Sequence, residues 1–97
     1  MNKYTVLKEK LEKIGTGEMK CFGNSMTPKL KSGSLLRFKK CEEYEVGDIV
    51  FCKVRGRYID SHLITKKSHG KYMISNNHGH ENGWTRQVYG KVIEILN

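Results

Sequence analysis

No stretch of this 97-residue chain is apolar for anything near the ~20 residues that a membrane-crossing helix needs, and no charged-then-apolar leader opens it. The expectation is a soluble, cytoplasmic protein with no membrane partner. Cysteine is sparse too: Cys21, Cys41 and Cys52 are an odd set, without Cys-x-x-Cys spacing and without a histidine at zinc-finger distance. Free thiols in a reducing compartment fit that pattern; a disulfide framework does not. His78 and His80, two apart, are the best metal-ligand pair, but no cysteine or carboxylate completes a set, so neither a metal nor another cofactor is expected. Acidic residues are the minority, 10 against 18 Lys and Arg, for a net charge of +8. That balance favours solubility and weak attraction to nucleic acid, acidic proteins or anionic lipid, without naming a partner. The basic pairs Lys39 and Lys40, Arg55 and Arg57, and Lys66 and Lys67 are scattered, as solvated strand ends are, rather than joined in one block. There are no internal repeats and no low-complexity segment.

What is present reads as one domain over residues 1–97, a helix within 1–16 followed by a β core over 17–97. Tyr4, Leu7, Leu11 and Ile14 recur at helical spacing between Lys and Glu, which predicts an amphipathic helix over 3–14, capped by Asn2 and stopped by Gly15 and Gly17. No second helix follows, which excludes a helix-turn-helix. Short runs of Val, Ile, Phe and Tyr predict strands near Met19–Phe22, Ser34–Lys39, Asp48–Val54, Tyr58–Lys66, Lys71–Ser75 and Val88–Leu96. The near-continuous apolar run from Ile49 to Cys52 suits a central strand covered on both faces. Arg55-Gly56-Arg57 and Ser68-His69-Gly70 read as hairpin turns. The polar stretch from Asn76 to Gln87 reads as a long loop, a candidate wall or lid of a site.

Proline occurs once, and its place matters. In Gly23-Asn24-Ser25-Met26-Thr27-Pro28 the glycine accepts backbone angles closed to other residues, while the proline fixes its own φ and moves Thr27 out of the helical region. A serine between them is presented to solvent, although the same residue types also make ordinary turns. A histidine is the usual base for a serine nucleophile, since an imidazole takes and returns a proton near neutrality. On the strand expected at 58–66, strict alternation puts Ile59, Ser61, Leu63 and Thr65 on one face, and Tyr58, Asp60, His62, Ile64 and Lys66 on the other.

Taken in order, the turn at 23–28 with Leu30 and Gly33, then Val46-Gly47-Asp48-Ile49-Val50, then His62-Leu63-Ile64, resemble the signature of the signal peptidase and LexA-type repressor superfamily of serine peptidases, over about residues 22–75. LexA-type and bacterial signal peptidases use a lysine where His62 stands, 37 residues beyond Ser25; the endoplasmic-reticulum type uses histidine there and is the more similar. The resemblance implies a mainly β fold, a small coiled sheet of clip or barrel shape with one N-terminal helix. It implies Ser25 as nucleophile, His62 as base, the main-chain N–H groups of Ser25 and Met26 as oxyanion donors, and Asn24, Met26 and Pro28 against the substrate. Histidine-type relatives carry an aspartate in a Gly-Asp-Asn-Asn stretch on the next strand, where this chain reads Ile74-Ser75-Asn76-Asn77. Asn76 could hold the ring without charge, as an asparagine does in papain-like enzymes. Asp60 is the alternative, although two residues along one strand are about 6.6 Å apart.

Neither the DNA-binding domain of family repressors nor the anchor of family signal peptidases is expected. The function expected from these residues is a serine endopeptidase acting on an extended polypeptide through a Ser25 and His62 dyad. The alternative is an inert relative, retained as a regulatory module that binds a protein or, with weaker support, nucleic acid, in a phage or plasmid setting.

Overall fold

The computed structural model describes residues 2–96. Helix α1, Lys3–Ile14, begins where the Asn2 side chain accepts the Thr5 N–H at 2.9 Å, and ends at Gly15, whose φ of 82° lets its own N–H reach the Leu11 carbonyl at 3.0 Å. Leu7 and Leu11 are 2% and 1% exposed and press on the sheet, each burial worth about 2 kcal/mol. Tyr4 stacks with Phe51 and Tyr58. The last member of the expected stripe, Ile14, is instead exposed, because the chain leaves the helix at Gly15 to enter the first strand. Gly17 makes the close approach feasible: a Cβ there would stand 2.6 Å from Leu7 Cδ1. Among the described residues no helix is long and apolar enough to cross a membrane.

Seven strands follow: β1 Thr16–Cys21, β2 Ser34–Lys39, β3 Ile49–Val54, β4 Arg57–Ser68, β5 Lys71–Ser75, β6 Glu81–Thr85 and β7 Gln87–Ile95. They form one antiparallel sheet in the order β1-β2-β7-β3-β4-β5-β6. The fold is therefore mainly β with one N-terminal helix, as the sequence predicts, with one correction. Five residues of the expected loop at 76–87, Glu81–Thr85, are strand β6. Register shifts interrupt the pairings of β2 with β7, β3 with both neighbours, β4 with β5, and β5 with β6. An extra residue on one side of a pair bends the strand and tightens its twist, so the sheet coils on itself. Edge strand β6 ends up against β3: the Thr85 hydroxyl donates to the Lys53 carbonyl at 2.5 Å, and Gly83 lies against Val54.

The coil makes two cores. Leu7, Leu11, Met19, Leu36, Phe38 and Phe51 fill the space beneath α1, while Tyr44, Val50, Cys52, Val54, Ile64 and Ile74 fill the other side. Strand β3 serves both, Phe51 on one face and Val50, Cys52 and Val54 on the other, as its unbroken apolar run requires.

The strict alternation expected along β4 does not hold. Cys52 pairs with Ile59 and Val50 with His62, so two residues of β4 stand opposite one of β3. Ile59 consequently packs with Ile64 on the Val50 side, whereas Leu63 packs with Tyr58 on the helix side. His62, opposite Val50, shares the side of Ile64.

Candidate active site

Ser25 lies in the connection from β1 to β2. Main-chain bonds from Thr27 N–H to the Asn24 carbonyl and from Leu30 N–H to the Met26 carbonyl wind residues 24–30 into tight turns. Gly23, at a φ of 109°, gives its N–H to Ser32 Oγ at 3.0 Å, and the Thr27–Pro28 peptide is cis. Met26 and Leu30, 2% and 6% exposed, plug these turns into the core. The Met26 side chain is therefore a core anchor, and it also lines the hollow beside Ser25. Among the described residues, the N–H groups of Ser25 and Met26 have no protein acceptor. Asn24 and Pro28 are exposed on the outer side.

The turn is held from above by the residues that join β5 to β6. The Asn77 main-chain N–H donates to the Ser25 carbonyl at 2.8 Å and its side-chain Nδ2 to the Thr27 carbonyl at 2.9 Å, so one residue spans the turn on both sides of Met26. His78 Nε2 lies 3.1 Å from the Asn24 carbonyl and 3.3 Å from Thr27 Oγ1. His78 thus belongs to the serine turn. Among the described residues, no three His, Cys, Asp or Glu side chains gather where a metal could be held.

His62, mid-way along β4, places Nε2 2.9 Å from Ser25 Oγ. Its other nitrogen, Nδ1, is 2.8 Å from Asn82 Oδ1 on β6. An amide oxygen only accepts, so Nδ1 carries the hydrogen and the Nε2 lone pair faces the serine hydroxyl. The two residues considered as ring partners from the sequence do not reach the ring. Asn76 opens the turn after β5, and its Oδ1 is occupied by the N–H groups of His78 and His80 at 2.8 and 2.9 Å. Asp60 is in the β4 bulge, and its charge is felt by Cys21, Tyr4 and Cys52. The coil of the sheet brings Asn82 into that place, 20 residues after His62.

A hollow of about 10 Å³, room for roughly one water, lies beside Ser25, walled in part by Cys21, Phe22, Leu30, Lys31 and Ser61. Burial first, and then the nearby Asp60 charge, pushes the Cys21 thiol up to about 12. Cys52 is raised likewise to about 12 by the same two causes. Neither thiol is an effective nucleophile at neutral pH.

A hydroxyl bonded to an imidazole, the imidazole held by a third side chain, on a coiled antiparallel sheet behind one helix, defines a serine-peptidase-like domain. The chain belongs to the S24-like peptidase family, whose model, described as Peptidase S24-like, it matches over residues 3–93. The comparison with curated proteins finds no significant match.

Proposed function

We propose that this chain is a serine endopeptidase in which Ser25 attacks the carbonyl of an extended polypeptide, His62 is the general base and Asn82 the residue that positions it. The observation that carries this reading is the unbroken row Ser25 Oγ, His62, Asn82 Oδ1, with contacts of 2.9 and 2.8 Å. His62 Nε2 takes the hydroxyl proton as Oγ bonds to the carbonyl carbon, then returns it to the leaving amine; water repeats the sequence to release the acyl group. The oxyanion is met by the N–H groups of Ser25 and Met26. Asn82 keeps the ring in the productive tautomer without offering it a counter-charge, which supports slow turnover. The test is exposure to a fluorophosphonate and peptide mapping of the adduct. Modification at Ser25 that disappears in His62→Ala is expected, and an unmodified Ser25 in folded protein refutes the assignment.

The uncharged Asn82 also favours a second reading, a regulatory module that keeps the serine turn for its shape and binds a protein partner without cutting it. In that case Ser25→Ala leaves the biological readout intact. Loss of that readout in Ser25→Ala, with binding retained, excludes it.

A further inference from the structure

The row from Ser25 to Asn82 has a hollow at each end, and bare cations stand at both. On the serine side the wall includes Phe22 and Lys31. Phe22 is 62% exposed and carries the Lys3 ammonium 4.9 Å from its ring centroid. Beyond Asn82 the wall includes Arg55 and Arg57, and the Arg55 guanidinium packs over Gly83, next in sequence to Asn82. Lys31, Arg55 and Arg57 are exposed, and among the described residues none has a carboxylate partner.

The carboxylates are engaged elsewhere. Glu18 and Glu94 share Arg37, and Glu43 and Glu45 share Lys67. Glu81, on the wall of the second hollow, is held 3.3 Å from Lys66 Nζ. Asp60, with no cationic partner among the described residues, is the exception: its charge reaches Cys21 on the wall of the serine-side hollow. Against that one carboxylate, Lys3, Lys31, Arg55 and Arg57 leave the surroundings of the row net positive, and the field acts within about a Debye length, 8–10 Å, of an arriving segment. The cations form two groups with the serine between them, not a continuous track lined by stacking rings, so an extended peptide suits them better than a nucleic-acid strand.

We infer that the site recognises a polypeptide carrying Asp or Glu on both sides of the bond presented to Ser25. This rests on the peptidase reading for the cutting step, but not for the binding. Three exposed charge pairs of ordinary strength together give about a tenfold gain in affinity over a neutral segment at low salt.

The experiment uses the Ser25→Ala protein and labelled short peptides with a common alanine centre flanked by Glu, Gln or Lys, with affinity read by fluorescence anisotropy. The expected order is Glu, then Gln, then Lys, compressed by added salt and inverted in the Lys31→Glu, Arg55→Glu, Arg57→Glu variant, whose circular dichroism stays unchanged because all three side chains are exposed. Equal affinities for the three peptides overturn the inference, as does an oligothymidylate bound more tightly than the Glu peptide through the same three residues. Wild-type protein is tested on the same peptides for cleavage. The Glu-first order without any cutting supports the recognition and removes the peptidase reading, whereas cutting without preference among the flanks keeps that reading and overturns the recognition.

Discussion

Replacing Asn82 by aspartate changes one atom type at the far end of the row and tests its logic from the side of gain. In the present protein the Asn82 Oδ1 accepts from His62 Nδ1 at 2.8 Å as a neutral amide. Such a bond is worth about 1 kcal/mol net, whereas the bond of a carboxylate to a ring that has just taken a proton is worth about 1.5–3 kcal/mol. The surplus of about 0.5–2 kcal/mol is realised as the imidazolium forms, so Asn82→Asp is expected to speed attack by Ser25 about 2- to 30-fold. Asn82→Ala leaves Nδ1 without its acceptor and frees the ring to adopt the other tautomer, with a loss of about tenfold or more. The assay is the second-order rate of fluorophosphonate modification at Ser25, compared at one fixed pH; it requires no knowledge of the substrate. Asp60→Asn serves as the control and is expected to leave the rate unchanged. An aspartate at 82 that is no faster than asparagine, or an alanine that is as fast, refutes the claim that the serine feels this contact.

The other predictions are structural. Gly17→Ala puts a methyl group 2.6 Å from Leu7 Cδ1 in a packed core, and should cost about 1–3 kcal/mol in urea unfolding; full stability would mean that the helix can shift outward. Asn77→Ala removes the side-chain bond to the Thr27 carbonyl and should slow modification of Ser25 while the global unfolding midpoint moves little, so an unchanged rate counts against the clasp. In native protein a thiol reagent should titrate Cys41 alone, since Cys21 and Cys52 are 5% and 0% exposed. Those two thiols also set an alkaline limit. Below the ordinary value of 9.0 both folded and unfolded states keep their protons, but from 9.0 to about 12 only the unfolded chain ionises, so stability falls with pH across that window and levels off above it. The raised Tyr4, Tyr44 and Tyr89 add to the fall from 10.0 upward. Cys21→Ala should flatten the decline, as read from urea midpoints against pH.

Much of this is legible in the sequence. Helical spacing between an Asn cap and a glycine stop marks α1, and β-branched and aromatic runs between charged turns mark β2 and β5 to the residue. Ser25 and His62 were found through an ordered set of motifs, and the 2.9 Å contact joins them across 37 residues. Strand β6 was missed because Asn82 and Gly83 are poor strand formers, and only Trp84 and Thr85 hint at extension. The bulge in β4 leaves no mark in composition, so strict alternation puts Asp60 beside His62, whereas the ring's partners are Ser25 and Asn82. Asn82 is the product of both gaps: its strand was hidden, and its approach to the ring depends on a coil that arises from bulges.

That strand ends the ladder of the sheet: its main chain pairs with β5 alone, and it meets β3 through side chains such as the Thr85 hydroxyl. Segments of this kind fray at lower free energy than the centre of a fold. Any reactivity of the hydroxyl is thus acquired late in folding and surrendered early in unfolding, so a nascent or partly melted copy is chemically quiet toward its neighbours. Trp84, the sole indole of the chain, sits on the same strand two residues from Asn82. Its emission therefore reports on the fraying margin itself, and should change together with the loss of serine labelling, ahead of the far-ultraviolet signal of the sheet.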